Sequence, residues 1–229
     1  MSEKKTVSIE TPILSRNERL AAELRARFAA TKTYVVNVLS SPGSGKTSTI
    51  IATAAQLRDR YGLRCAAIDG DVESDVDALK LKAAGMPAIQ INTGGLCHLE
   101  GNMIKDAIDA LDAGVGLGSI DVIFIENVGN LVCPVDFDLG ENLAVMILSV
   151  PEGDDKPAKY PGIFQHAGAL LLNKVDVAPA FDFDMGVYSG ALDNLNPAAP
   201  RFSISATKGT GMDEWCDWLA DQVHGGAGK

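Results

Sequence analysis

Eight consecutive residues, Ser40 to Thr47, read Ser-Ser-Pro-Gly-Ser-Gly-Lys-Thr and stand between an apolar run at 34–39 and a stretch of helix formers. Gly43 and Gly45 let the backbone curl so that several N–H groups, that of Ser44 among them, face one anion. The helix that follows adds the positive end of its dipole. Lys46 would reach the terminal phosphates of a nucleotide, Thr47 would offer a hydroxyl to Mg²⁺, and Ser48 carries the loop into the helix. The usual phosphate-binding pattern opens on Gly where this chain has Ser40. Close approach, charge and metal hydroxyl are all retained despite that departure.

A second element, Asn173-Lys174-Val175-Asp176, follows the apolar run 169–172. Guanine presents a ring N–H and an exocyclic amine on one edge, and the single carboxylate of Asp176 can accept from both. Adenine lacks that pair of donors, so a site built for guanine would reject it. Asn173 would bridge to the phosphate loop and Lys174 would lie over the base. After the run 201–204 come Ser205, Ala206 and Thr207, followed by Lys208-Gly209, whose backbone N–H groups can meet the guanine oxygen. Together these imply GTP and GDP as ligands.

Magnesium needs a carboxylate close to the phosphates and Thr47. Two strand ends offer one: Asp69-Gly70-Asp71 and Glu126-Asn127-Val128-Gly129. Asp71 is ranked above Asp69 because it lies farther beyond its strand. The set expected to act in hydrolysis is Lys46, Thr47, Asp71 and Glu126. No Gln follows Gly129 to orient an attacking water, so intrinsic turnover is expected to be slow.

Cys97-His98 and Cys133-Pro134 each follow an expected strand. Thiolate and imidazole are ligands of Ni²⁺, Zn²⁺ and similar metals, yet their spacing alone is weak evidence and favours ordinary packing over a metal. Position favours a metal, because Cys133 shares a loop with Glu126. Three ligands leave a four-coordinate centre incomplete, to be finished by water, a second chain or a client protein. Cys65 and Cys216 read as core, and His166 and His224 have no Cys nearby.

Placing these groups together requires a particular fold. Apolar or β-branched runs recur at 34–39, 64–68, 88–91, 122–125, 143–150, 169–172 and 201–204, with helical stretches at 46–60, 76–84, 102–111 and 212–223. The alternation implies an α/β fold with a doubly wound, mostly parallel sheet, in which ligands bind beyond the carboxyl ends of the strands. Residues 15–30 predict an amphipathic helix with Leu20, Leu24 and Phe28 on one face. Residues 1–32 are read as an N-terminal extension and 33–229 as a GTPase domain with inserted metal-binding loops. The stretches 114–118 and 151–162, rich in Gly or in Pro and Asp, read as loops.

Composition narrows the function classes. The chain has 229 residues, 30 acidic against 20 basic side chains and a net charge of -10, a balance that disfavours a nucleic-acid partner. No apolar run approaches the roughly 18 residues of a membrane span, and the polar start Met1-Ser2-Glu3-Lys4-Lys5 lacks the apolar middle of a secretory signal. A cytoplasmic location is expected. Its four cysteines are too scattered for a disulfide scaffold.

Taken together, the phosphate loop at 40–47, Asp69-Gly-Asp-Val, Cys97-His-Leu-Glu, Glu126-Asn-Val-Gly-Asn-Leu-Val-Cys-Pro, Asn173-Lys-Val-Asp and Ser205-Ala-Thr-Lys-Gly resemble the hydrogenase nickel-incorporation GTPases, the HypB family. The resemblance covers roughly residues 15–224. It implies a GTPase that helps deliver nickel to the large subunit of [NiFe] hydrogenase together with a second maturation factor. It also implies a metal site at Cys97, His98 and Cys133, and a homodimer favoured by GTP. Many relatives carry an N-terminal Cys motif or a His-rich tract, whereas residues 1–32 here contain neither Cys nor His, so nickel storage is not expected. Three other readings compete. A urease-type nickel accessory GTPase would show Cys-Pro-His, but Val135 follows Cys133-Pro134. A GTP-switched adaptor would use the metal site only structurally, and a small-molecule kinase is opposed by Asn173 to Asp176.

Overall fold

The computed structural model describes residues 10–71 and 76–226, with residues 10–14 and 71 described by backbone alone. Seven strands form one sheet: β1 (Tyr34–Ser40), β2 (Cys65–Asp71), β3 (Ala88–Asn92), β4 (Val122–Glu126), β5 (Leu143–Ser149), β6 (Ala169–Asn173) and β7 (Arg201–Ser203). Their order is β3-β2-β4-β1-β5-β6-β7, and every pair is parallel. The helices are α1 (Glu10–Thr31), α2 (Lys46–Tyr61), α3 (Val76–Ala83), α4 (Gly101–Val115), α5 (Lys156–Lys159), α6 (Pro161–His166), α7 (Met185–Leu195) and α8 (Met212–Gly226).

Burial explains the continuous apolar strands. β1, β4, β5 and β6 are buried along their whole length, as expected where helices cover both faces of a parallel sheet. Side chains alternate between faces. Val36 and Val38 pack with Ile50 and Leu57 of α2 and with Trp215 and Leu219 of α8, whereas Val35, Ile123 and Ile125 meet Leu24 and Phe28 of α1 and Ile104 and Ile108 of α4. A third cluster joins Leu39, Met146 and Leu170 to Phe164 of α6 and to Tyr188 and Leu192 of α7. The expected doubly wound sheet is present, with no antiparallel strand among the described residues. Its switch point is at β1, flanked by β4 and β5, so the loop after β1 opens into the crevice where such sheets bind ligands.

Three segments depart from expectation. Residues 151–162 are not a plain loop: β5 ends at Ser149, a 3₁₀ turn spans Val150–Glu152, and α5 and α6 follow. Pro157 and Pro161 sit in the first turns of those helices, where a missing N–H costs nothing. The second is 114–118, where α4 continues through Val115 and a 3₁₀ turn, Leu117–Ser119, begins almost at once. Asp112 organises that exit, its Oδ1 accepting from the Leu117 N–H at 3.0 Å. Third, α7 has no counterpart in the sequence reading. Asp184 starts it by accepting from the N–H groups of Gly186 and Val187, while Gly186 and Gly190 dilute the helix propensity that would have announced it.

Candidate functional site

The phosphate loop leaves β1 at its carboxyl end and enters α2 with Gly43 and Gly45 at positive φ, 78° and 98°. Gly45 cannot be replaced cheaply, because a Cβ there would stand 2.6 Å from Asn173 Nδ2. Ser40, the departure from the usual pattern, has a local role: its Oγ accepts from Ser44 Oγ at 2.6 Å and from Lys46 Nζ at 3.2 Å. A glycine could not hold the lysine amine in that way. Ser41 donates to Glu152, whose other oxygen accepts from the Ser149 N–H at 2.7 Å. Glu152 therefore ties the loop to the end of β5; its bond to Ser149 is a capping box written in the sequence as Ser-x-x-Glu, whereas its bond to Ser41 is made only by the fold. Ser48 is exposed on the first turn of α2.

On the far side stand Lys46, Asp69, Asp77, Glu126 and Gly129, lining a cleft of about 230 Å³. Asp69 and Glu126 are paired in register across β2 and β4. Their immediate alternates Ala67 and Phe124 pack with α2, so period 2 turns both carboxylates to the phosphate-loop face. Glu126 Oε1 accepts from Thr47 Oγ1 at 2.9 Å, while Oε2 is buried with no hydrogen bond among the described residues. Burial pushes the Glu126 carboxyl up to about 7, with Lys46 opposing the shift and Asp69 adding to it. An orphaned buried carboxylate oxygen beside a threonine hydroxyl suits a hard cation. Asp71 ends β2, and its side chain lies outside the described residues. Asp69, ranked second in the sequence, lines the cleft, and Asp77, read only as part of a helix, joins it.

Asn173 bridges as expected, donating through Nδ2 to the Ser44 carbonyl at 2.9 Å. Its Oδ1 accepts from the N–H groups of Lys174 and Ala206 at 2.8 and 3.2 Å. One side chain thus pins three loops together. Lys174 takes a left-handed φ of 62° and donates through Nζ to the Gly43 carbonyl at 2.6 Å, laying its stem across the loop. Asp176 is exposed at the start of a 3₁₀ turn, Val175–Ala180. Ser205 is buried, and its carbonyl accepts from the N–H groups of Lys208 and Gly209. Thr207 is exposed beside it.

The ligand atoms of Cys97, His98 and Cys133 lie within 4.8 Å of one another. Cys97 and His98 come from the loop after β3, and Cys133 opens the 3₁₀ turn Cys133–Asp136 in the loop after β4. The Cys133 thiol beside it raises the Cys97 thiol above its ordinary value. Asn130, unremarked in the sequence, brackets Cys133: its Nδ2 donates to Sγ at 3.5 Å and its Oδ1 accepts from the Cys133 N–H at 3.3 Å. Sulfur and imidazole donors converging in this way fit a borderline divalent metal. Gly129 joins the two sites, since a Cβ there would meet the Pro42 backbone nitrogen of the phosphate loop at 2.8 Å.

The remaining thiols behave as core. Burial pushes Cys65 and Cys216 each up to about 12. The larger cavities, of about 600 and about 420 Å³, open at the amino ends of the strands, away from the phosphate loop, the carboxylates and the thiol–imidazole cluster, with Cys65 in the wall of the second. Chemistry rather than size selects the site. No helix among the described residues is long and apolar enough to cross a membrane.

Residues 34–203 match the family model described as CobW/HypB/UreG, nucleotide-binding domain. The chain is 48% identical over 222 residues to the hydrogenase maturation factor HypB of Escherichia coli (strain K12), covering 97% of this chain and 74% of that protein. Among solved structures, HypB from Helicobacter pylori in complex with nickel superposes with a TM-score of 0.86 at 37% identity, over 91% of this chain and 95% of that one. The hydrogenase maturation factor HypB from Archaeoglobus fulgidus gives 0.82 at 36% identity, over 91% and 99%.

Proposed function

Because the chain belongs to the CobW/HypB/UreG nucleotide-binding family, and within it to the hydrogenase maturation factors HypB, we propose that it is a GTP-hydrolysing nickel carrier. Its task is to assist insertion of nickel into the large subunit of [NiFe] hydrogenase. One observation carries the reading. Cys133 of the thiol–imidazole–thiol cluster lies in the loop that leaves β4 at Glu126, which is hydrogen-bonded to Thr47 of the phosphate loop. A single short loop thereby serves nucleotide and metal, the arrangement a nucleotide-controlled carrier needs. The nickel-bound Helicobacter relative supports the same assignment.

In this reading Gly43, Ser44, Gly45, Lys46, Thr47 and Ser48 hold the phosphates. Asn173, Lys174 and Asp176 take guanine, with Ser205, Ala206 and Thr207 closing over its oxygen. The Ala206 N–H, which donates to Asn173, would be shared with the base. Thr47 and Glu126, with Asp69 and Asp71 at the end of β2, would hold magnesium, which supplies charge neutralisation on the phosphates when bound. Lys46 positions the terminal phosphate. With no glutamine to orient water, turnover is slow.

Cys97, His98 and Cys133 take nickel or zinc and leave at least one position open, which a second copy fills when GTP favours the homodimer. The chain works in the cytoplasm with a second maturation factor, and residues 1–32 extend a GTPase domain of 33–229. The test is GTP turnover by the wild type and Lys46→Ala, together with restoration of hydrogenase activity in cells lacking their own HypB. Turnover and restoration should both be lost in the variant. Undiminished turnover would mean that the phosphate loop is misread.

A further inference from the structure

His98 is held on three sides, by Phe137 from a distant part of the chain and by its sequence neighbours Cys97 and Glu100. Phe137 lies face to face against the imidazole, with ring centroids 3.8 Å apart and planes 18° from parallel. Nδ1 stands 3.6 Å from Cys97 Sγ. Nε2 points the other way, buried and with no hydrogen bond among the described residues, and faces Glu100 Oε1 at 3.5 Å.

Glu100 occupies the N-cap of α4, with φ -119° and ψ 157°, yet its side chain makes no cap hydrogen bond. Short oxygen-bearing side chains serve that position best. Here Asn17 of α1 takes over the role, its Oδ1 accepting from the Gly101 N–H at 2.7 Å. The Glu100 carboxylate is thereby released from the helix terminus and turned towards the imidazole.

Resting on the metal reading above, we infer that Glu100 is a positioning residue that fixes the tautomer of His98 and makes Nδ1 the metal donor. A carboxylate only accepts hydrogen bonds, so the nitrogen facing it carries the proton, and the neutral ring has one proton to place. With the proton on Nε2, facing the Glu100 carboxylate 3.5 Å away, the lone pair is left on Nδ1, on the side of Cys97. Phe137 resists the ring rotation that would exchange the two nitrogens. A carboxylate behind a ligating histidine also fixes the orientation of the ring. Glu100 itself stays out of the ligand shell.

The test uses the full chain labelled with ¹⁵N-histidine. Long-range ¹H–¹⁵N correlation spectra report the His98 tautomer without metal and with zinc, and competition against a chromophoric chelator gives the affinity for nickel sulfate. The wild type should show Nε2–H, with zinc shifting Nδ1. Glu100→Ala should give mixed tautomers and a nickel affinity about 10- to 100-fold lower. Glu100→Gln, whose amide oxygen still accepts from Nε2–H, should keep the wild-type tautomer with a smaller loss. An Nδ1–H tautomer in the wild type, or a Glu100→Ala variant unchanged in tautomer and affinity, would overturn the inference. His98→Ala is measured alongside: if it too leaves nickel affinity intact, the metal reading itself fails. If it weakens binding while Glu100→Ala does not, only the role of Glu100 falls.

Discussion

At the scale of single residues, Glu126 is where burial and chemistry conflict most. Its carboxyl is pushed up to about 7, so between about pH 4.5 and 7 the folded chain keeps a proton that the unfolded chain, with an ordinary carboxyl, has lost. Stability from this group is therefore present at low pH and lost as pH rises to 7, by on the order of 3 kcal/mol. Urea denaturation of nucleotide- and magnesium-free protein at pH 5 and pH 8 should show Glu126→Gln gaining on the wild type at the higher pH. A difference that does not change with pH would contradict it. Asp176 is simpler, being exposed and free to meet a base. Asp176→Asn should reduce the preference for GTP over ATP by about a hundredfold or more, and unchanged selectivity in a competition assay would remove the guanine assignment. Lys46, Thr47, Asn173, Cys97, His98 and Cys133 were legible in the sequence because each lies in a short pattern with its own chemistry. Phe137 and the tie from Glu152 to Ser41 were not, because they act on partners brought close only by the fold, and Asn130, though three residues from Cys133, carries no pattern of its own.

Among the elements, the strands were the most readable part of the chain. Burial on both faces writes them as unbroken apolar runs, and their expected limits differ from the observed ones by a residue or two, except for β2, which runs three residues farther, to Asp71. The short helices α5 and α6 were hidden by prolines, which sequence patterns treat as breakers although a first turn accepts them. α1 is bound into the core. Phe28 is 1% exposed and packs in the cluster that holds β4 and α4, while Arg27 pairs with Asp109 and Asp112 of α4 at 2.5 and 2.8 Å. Those exposed pairs add little. Phe28→Ala should instead cost about 3–5 kcal/mol, read as a lower urea midpoint with an unchanged slope; a loss under 1 kcal/mol would show that α1 is not part of the cooperative unit. The loop after β4 is held at both ends. Asn127 Nδ2 donates to Asn37 Oδ1 at 3.2 Å, and Asn37 Nδ2 donates to Glu141 Oε1 at 3.0 Å. Cys133 is therefore carried on a braced segment, through which the proposed coupling between nickel and nucleotide would act.

For the whole molecule, a net charge of -10 means that a polyanionic nucleotide has to be met locally, in the proposed reading by Lys46, backbone N–H groups and magnesium. The parallel sheet solves this by delivering β1, β2, β4 and β6 to one edge. On that edge the phosphate loop, the carboxylates, the residues proposed to read guanine and the thiol–imidazole cluster all assemble, while the larger cavities at the other edge carry none of them. The central claim is that nickel and GTP are read by one connected site. Nickel titration of the wild type and Cys97→Ala, each with GDP and with a non-hydrolysable GTP analogue, tests it most directly. The wild type should bind nickel with an affinity that changes with the nucleotide, and Cys97→Ala should bind at least about tenfold more weakly; equal affinities for the two proteins, indifferent to nucleotide, would contradict the account.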